Sequence, residues 1–157
     1  MILKNNSNET VEVNASSIAY GNDGNMVSAA QSTLYALGGG CTSIVYEAFE
    51  TDKEISRYDM DLMAEKDNYY ESVIQDLSYT QNNIEDGAIF QVTNNGIDTA
   101  DFVEGYALFF QNGQMVDYQS TYFTDSDSEI KPGETISKQL STYKDFDRME
   151  FYLTGRK

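Results

Sequence analysis

The densest group of side chains that could bind an ion is a short acidic run near the C-terminus. Asp125, Asp127 and Glu129 place three carboxylates at alternate positions, and hard oxygen ligands at such spacing can gather around Ca²⁺. The run lacks the glycine and the distal glutamate of an EF-hand loop. The segment that aligns with it in the first half of the chain, residues 37–40, contains no carboxylate. We therefore expect a solvated acidic loop that binds calcium at most weakly and forms no specific metal site.

Few other residues have the chemistry of a catalytic centre. Histidine, the commonest general base, is absent from all 157 residues. The single cysteine, Cys41, cannot form an internal disulfide, and no lysine or arginine within ten residues would activate its thiol. Catalysis would have to rest on paired carboxylates, as in glycosidases. We expect a protein that is not an enzyme and uses no cofactor.

Tyrosines are the main candidates for a binding surface. The chain has 12 of them, and a tyrosine offers a large contact area to a sugar ring or a protein at low entropic cost. Tyr69 lies in a polar stretch near the middle of the chain, whereas Tyr118 and Tyr122 follow a predicted hairpin turn. Although many such residues pack into cores, we take these three as candidates for contact with an unknown protein or glycan.

The charge of the chain restricts its partners. It carries 10 Lys and Arg against 26 Asp and Glu, a formal charge of −16, and nucleic acids and anionic membranes repel such a surface. No apolar run approaches the roughly 18 residues of a membrane-spanning helix. Hydrophobic residues make up 40% of the chain, which is enough for a packed core. We expect a folded protein that binds no nucleic acid and does not insert into a membrane.

An internal repeat organises the chain. At an offset of 89 residues, identical residues align at four places: Asn5 with Asn94, Thr10 with Thr99, Gly24 with Gly113, and Met26 with Met115. At an offset of 91, residues 53–62 lie over residues 144–153 with identical Lys, Arg and Leu. Several aligned blocks in the same order indicate two copies of one unit.

Both copies have the patterns of antiparallel strands. Apolar residues alternate through the aligned blocks, which is the period of a strand with one buried face. This predicts two equivalent buried triplets: Tyr58, Met60 and Leu62 in the first copy, and Met149, Phe151 and Leu153 in the second. Asp23-Gly24 and Asn112-Gly113 are dipeptides that suit two-residue type I′ hairpin turns.

The predicted fold is all-β, with two tandem antiparallel immunoglobulin-like β-sandwich repeats at residues 1–66 and 67–157. A small barrel is the alternative. The second copy has a predicted strand at residues 73–79 that the first copy lacks. The first repeat would therefore be truncated at its N-terminus, with Met1 inside a domain. Its unpaired strand edge would favour self-association.

Three motifs of the second copy occur in a recognisable order. Residues 91–96 (QVTNNG) end a strand in an asparagine turn, residues 106–116 lead into an Asn-Gly hairpin, and residues 130–135 (IKPGET) contain a Pro-Gly turn. This order resembles FxLYD-like and related immunoglobulin-like repeats of Gram-positive bacterial surface lipoproteins. The resemblance covers residues 84–153 well. It covers residues 2–62 less well, because three glycines replace the Pro-Gly turn there.

The resemblance implies an exported, non-catalytic module of the bacterial cell envelope. Such a module would be extracellular and would be exported through a signal that this sequence does not contain. We expect it to act as a spacer or as a protein-binding, adhesive domain. The alternative is a carbohydrate-binding accessory module, which would need a coplanar row of exposed tyrosines with Asn and Asp nearby.

Overall fold

The computed structural model describes residues 1–124 and 129–157. Within those ranges the chain forms eleven β-strands, one single-turn 3₁₀ helix at Ile74–Asp76 and no α-helix. The strands are β1 (Ile2–Lys4), β2 (Val11–Tyr20), β3 (Met26–Leu37), β4 (Thr42–Ile44), β5 (Arg57–Lys66), β6 (Leu77–Ile84), β7 (Gly87–Asn94), β8 (Phe102–Gln111), β9 (Gln114–Tyr122), β10 (Thr135–Ser141) and β11 (Arg148–Arg156). The prediction of an all-β protein is confirmed.

The paired strands are antiparallel and form four sheets. The first half contains a three-stranded sheet of order β3-β2-β5 and the pair β1-β4. The second half contains two three-stranded sheets, of orders β9-β8-β11 and β6-β7-β10. Buried side chains of both sheets meet in one core in each half, which gives a β-sandwich-like arrangement.

The strand order of the first half recurs in the second. β2 lies between β3 and β5, just as β8 lies between β9 and β11, and β1 pairs with β4 as β7 pairs with β10. The second half has one more strand, β6, on the far side of β7. No described strand occupies that side of β1. The halves therefore differ by the strand that the sequence alignment leaves unmatched.

Two aligned asparagines make the same hydrogen bonds at the ends of β1 and β7. Each amide nitrogen donates to the carbonyl oxygen four residues ahead, at 2.7 Å from Asn5 and 2.8 Å from Asn94. A second bond of 2.8 Å reaches a distant carbonyl, that of Leu37 in the first half and Ile130 in the second. Each amide oxygen accepts the N–H two residues ahead at 2.9 Å. These buried amides give both halves the same loop conformation.

The two sheets of the second half enclose a large aromatic core. Phe90 of β7 stacks on Phe151 of β11, with ring centroids 3.8 Å apart. Phe151 and Leu153 are buried, and Met149 packs against the same core while partly exposed. The predicted burial is confirmed for Phe151 and Leu153, whereas Met149 is only partly buried.

β6 lies across the core from β11 and covers the inner face of that strand. Tyr79 lies against Phe151 with ring centroids 4.9 Å apart, and a Cβ at Gly155 would lie 3.0 Å from Leu77 Cδ1. The predicted strand at residues 73–79 is wrong at its start, because the chain first makes a tight turn in which Asp76 N–H donates to the Val73 carbonyl at 2.9 Å. The strand begins only at Leu77.

The equivalent triplet of the first half is exposed, which contradicts the prediction. The register of β5 does place it on the inner face, since the residues facing it on β2 are buried: Ala19 opposite Tyr58, Ser17 opposite Met60, and Ala15 opposite Leu62. Tyr58, Met60 and Leu62 are nevertheless 61%, 36% and 41% exposed. The alternation is right and the burial is wrong, because no described strand beside β1 extends the opposite layer over β5.

Only one of the two predicted type I′ turns forms. Asn112 and Gly113 have φ values of 52° and 80° and connect β8 to β9 in two residues. In the first hairpin the loop between β2 and β3 is longer and covers residues 21–25. Gly24 is the one residue of that loop with a positive φ, 79°. Asp23 accepts the N–H two residues ahead at 3.0 Å. This side-chain turn favours the longer loop.

Candidate functional site

An open apolar groove lies where no strand of the described residues covers the inner face of β5. Its volume is about 800 Å³, and we call it the β5 groove. All but one of the residues that line it are hydrophobic: Met1, Ile2, Ile44, Val45, Tyr46, Phe49, Tyr58, Met60, Tyr106, Leu108, Phe110, Met115 and Tyr118, together with Glu47. A concave, mostly apolar surface of this volume is typical of a ligand-binding site.

The two walls of the β5 groove come from different halves of the chain. One wall is the inner face of β5, where Phe49 lies beside Tyr58 with ring centroids 6.2 Å apart. The other wall is the outer face of β8 and β9. Leu108 and Tyr118 are directly opposite each other there. A ligand in the groove would therefore contact both halves at once.

β4 and the segment after it form the floor of the groove. Ser43 Oγ donates a buried hydrogen bond of 2.8 Å to the Leu153 carbonyl, which holds β4 against β11. The chain then continues through Tyr46 beneath both walls. This bond joins a strand of each half next to the floor of the groove.

Tyr118 supplies a hydroxyl to the second wall of the groove. Its ring lies 4.7 Å from that of Tyr46, at an angle of 35°. The pKa of Tyr118 is raised to about 12, chiefly by its hydrogen bond to Tyr46 and to a smaller extent by partial burial. The phenol is therefore protonated at neutral pH and can donate or accept a hydrogen bond at the groove.

Glu47 is the charged residue of the lining. Its Oε2 accepts a hydrogen bond from Ser17 Oγ on β2. Its Oε1 is buried and has no hydrogen-bond partner in the described part of the chain. A buried acceptor without a partner is destabilising by about 1–3 kcal/mol.

The structure does not bring the three predicted binding tyrosines together. Tyr118 lines the β5 groove, but Tyr122 lies against Phe102, with ring centroids 5.4 Å apart, in a neighbouring hollow of about 270 Å³. Tyr69 is 87% exposed and lines neither of these two sites. Only one of the three thus belongs to the groove.

Most of the predicted acidic run lies outside the described residues. This applies to Asp125 and Asp127. Glu129 forms an exposed ion pair of 3.5 Å with Lys131. Across residues 1–124 and 129–157, no group of three or more Cys, Asp and Glu side chains could hold a metal ion. The weakness of calcium binding at the run stays a prediction.

Sequence reasoning missed a cation at the junction of the halves. The Arg156 guanidinium lies over three rings, 4.1 Å from the centroid of Phe102, 4.6 Å from Tyr70 and 5.2 Å from Tyr35. Tyr35 comes from β3 and Phe102 from β8, so this single cation contacts both halves. The adjacent tyrosines at positions 69 and 70 were the visible signal, but the sequence does not show which cation they meet.

Asp67 fixes the backbone at the same junction. Its carboxylate accepts the N–H groups of Tyr69 and Tyr70, both at 2.9 Å, and that of Ala36 at 3.0 Å. Burial by itself would raise the pKa of Asp67, but these three backbone donors, with a smaller effect of Arg156, hold it below its ordinary value. Three donors on one carboxylate make the turn after β5 rigid.

The second wall of the groove was also missed, although its signal was present in the sequence. Tyr106, Leu108 and Phe110 alternate along β8, but the residues between them are also apolar or small. Apolar residues on both faces indicate a strand that is covered on both sides. In the structure the outer face of β8 is covered in part by the segment after β4, and the uncovered part is the groove.

Comparison with family models, curated proteins and solved structures finds no match to this chain. Among the described residues, no helix has the length and apolar character needed to cross a bilayer. The β5 groove and the junction of the halves at Asp67 and Arg156 are therefore the features from which a function is inferred.

Proposed function

We propose that this protein is a non-catalytic protein-binding module, built from two tandem immunoglobulin-like repeats and displayed outside the cell. The observation that carries the proposal is the β5 groove, an open apolar surface of about 800 Å³ between the two halves. Interfaces between proteins have apolar centres enriched in aromatic residues and methionine, with few charges. The lining has this composition.

The tandem arrangement is supported by the recurrence of one strand order and by the paired loops at Asn5 and Asn94. The resemblance to FxLYD-like repeats of bacterial surface lipoproteins supports an exported, envelope location. Protease shaving of intact producing cells tests this part of the proposal. Surface display predicts that the protein is cleaved while a cytosolic marker stays intact, and protection of the protein would contradict it.

Carbohydrate binding is the second candidate, because Tyr118 and Tyr122 lie on the same face of β9. The rings beside them are not coplanar with them: Tyr46 is tilted by 35° from Tyr118, and Phe102 stands at 69° to Tyr122. A flat stacking platform for a sugar would need a common plane. This geometry favours the protein partner over the glycan.

Selection of a random peptide library on the immobilised full chain tests the proposal. We expect enrichment of peptides whose recovery falls about tenfold in Met115→Lys, since a charge in the wall would be desolvated by the ligand. Met26→Lys is the matched control, because Met26 aligns with Met115 and is similarly exposed, at 63% against 57%, but lies outside the groove.

The unmodified chain, Met115→Lys and Met26→Lys are also screened on a glycan array, which tests the carbohydrate-binding alternative. Glycan binding without peptide enrichment would overturn the proposal in favour of the carbohydrate-binding alternative. Peptides retained equally by both variants would show that binding occurs away from the groove, and would also contradict the proposal.

A further inference from the structure

We propose that the β5 groove accepts an extended peptide strand from a protein partner, which pairs with the free edge of β1 and covers the inner face of β5. This inference rests on the proposed function and names the form of the ligand. The strand would have alternating apolar residues and a neutral or basic charge. Four observations support this, and each concerns a different property of the ligand.

The second half of the chain shows what fills the equivalent place. There, β6 pairs with β7 and covers β11, with the Tyr79 ring 4.9 Å from Phe151. By the internal alignment, β1 corresponds to β7 and Met60 of β5 corresponds to Phe151. A strand beside β1 would thus cover Met60 as β6 covers Phe151. This gives the position of the ligand.

The edge of β1 supplies the backbone groups for pairing. The Met1 ammonium donates to the Val45 carbonyl at 2.7 Å, and Asn5 N–H donates to the Cys41 carbonyl at 3.0 Å. Because hydrogen-bonded positions alternate in an antiparallel ladder, Ile2 and Lys4 turn their N–H and C=O groups to the other side. No described strand pairs there. An added strand would satisfy these groups, which is the usual mode of β-augmentation.

The β1 edge and the apolar wall belong to one site. Met1 and Ile2 line the same groove as Tyr58 and Met60. A strand bonded to β1 therefore has one side-chain face directed at β5, and its other face directed outward. This predicts that alternate residues of the ligand are apolar.

The charge of the chain indicates which kind of protein could supply the strand. The chain has a net charge of −16, so a second copy or another acidic protein would be repelled. Among the described residues, Glu47 is the one acidic residue that lines the groove, and it would attract a cation on the ligand. Both features favour a neutral or basic partner over self-association.

A tethered strand in the full chain tests the geometry. Residues 77–89, which hold β6 and its turn, are copied directly before Met1, so that Met1 follows them as Phe90 follows Ile89. We expect amide exchange of Lys4, measured by NMR, to slow about tenfold or more, as in a paired strand. The same graft with the copied Tyr79→Asp is the matched control and should lose most of this protection, because a charge would face β5.

The graft and the selected peptides together separate the two proposals. If the graft occupies the groove, it should abolish binding of the peptides that depend on Met115. Peptides that still bind the grafted chain, with Lys4 exchange unchanged, would overturn the strand inference and leave the protein-binding function standing. Failure to select any peptide would overturn the function, whatever the graft does.

Two further measurements test the nature of the partner. Glu47→Gln should weaken binding of lysine-containing selected peptides more than that of neutral ones, and an equal effect would contradict the role of charge. Analytical ultracentrifugation of the unmodified chain should show a monomer. A dimer whose formation protects Lys4 would replace the foreign strand by a second copy and overturn the inference.

Discussion

The two halves of this protein have the same strand order but very different interiors. In the second half, β6 completes the layer over β11, and four phenylalanines are buried in the core: Phe90, Phe109, Phe123 and Phe151. The described core of the first half contains no aromatic side chain and is built from small and aliphatic residues around Val13 and Leu37. The additional strand β6 therefore closes the core of the second half, and the groove lies at the equivalent place in the first half.

The largest expected effect is on the halves expressed separately. Residues 67–157 should fold alone with a cooperative thermal transition, because their core is complete. Residues 1–66 should be unfolded or self-associated, since a unit of about 60 residues is marginal even with an intact core and this one has an open layer. Circular dichroism melts of both pieces provide the measurement. Equal cooperative melting of both would break the comparison.

Truncation at equivalent core positions of the full chain gives the next largest effect. Phe151→Ala should destabilise the protein by about 3–5 kcal/mol, the usual range for a buried phenylalanine. Met60→Ala should have an effect of at most about 1 kcal/mol, because that residue is already 36% exposed and its truncation leaves no enclosed cavity. Urea unfolding measures both. A similar loss in the two variants would mean that the inner face of β5 is covered after all.

A smaller effect is expected from the cations that stack on aromatic rings. Arg156→Ala should destabilise the chain by about 1–2 kcal/mol, since its guanidinium contacts three rings across the junction. Arg57→Ala is the control, because Arg57 lies 3.8 Å over the single ring of Tyr20 on an exposed surface. Thermal melts should show the larger shift for Arg156. A larger shift for Arg57→Ala would show that the contacts of Arg156 between the halves do not stabilise the chain.

The smallest expected effect is the pH dependence contributed by Asp67. Its folded pKa is below the ordinary value of 3.8, so the ionised form is favoured by folding. The resulting stability is complete above the unfolded pKa and is lost as the pH falls through the lower, folded pKa. Asp67→Asn should therefore lower the melting temperature at pH 7 and have much less effect near pH 2. A constant difference between the two pH values would contradict this assignment.

The sequence was sufficient for the features that depend on local pattern. Alternation predicted the strand faces of β5 and β11, and the internal alignment identified Asn5 and Asn94 as equivalent and the second copy as having the additional strand. The Asn112-Gly113 turn was predicted because both residues tolerate a positive φ. These are properties of a few neighbouring residues, which one sequence displays directly.

Features that depend on distant contacts could not be predicted in this way. The face of a strand is set by its own alternation, but its burial depends on what lies opposite, and no strand among the described residues covers Met60. The β5 groove needs β4 to dock against β11 through Ser43, a contact 110 residues distant in sequence. At Asp23, a side-chain hydrogen bond favoured a longer loop than its dipeptide suggests. The same limit applies to Tyr69, Tyr118 and Tyr122, since exposure alone does not indicate which tyrosines share a surface; their part in binding stays a prediction.

The connection between the halves also has mechanical consequences. Glu71 and Lys157 exchange two backbone hydrogen bonds, of 3.2 and 3.0 Å, and Val73 N–H donates to the Gly155 carbonyl at 3.1 Å. The segment after β5 is thus joined alongside the last strand of the chain. Because this segment runs antiparallel to β11 and Glu71 lies opposite the terminal Lys157, tension between the first half and the C-terminus would open these bonds one at a time, beginning at the Glu71–Lys157 pair. The joint would therefore yield to stretching in steps, from the end of the chain inward.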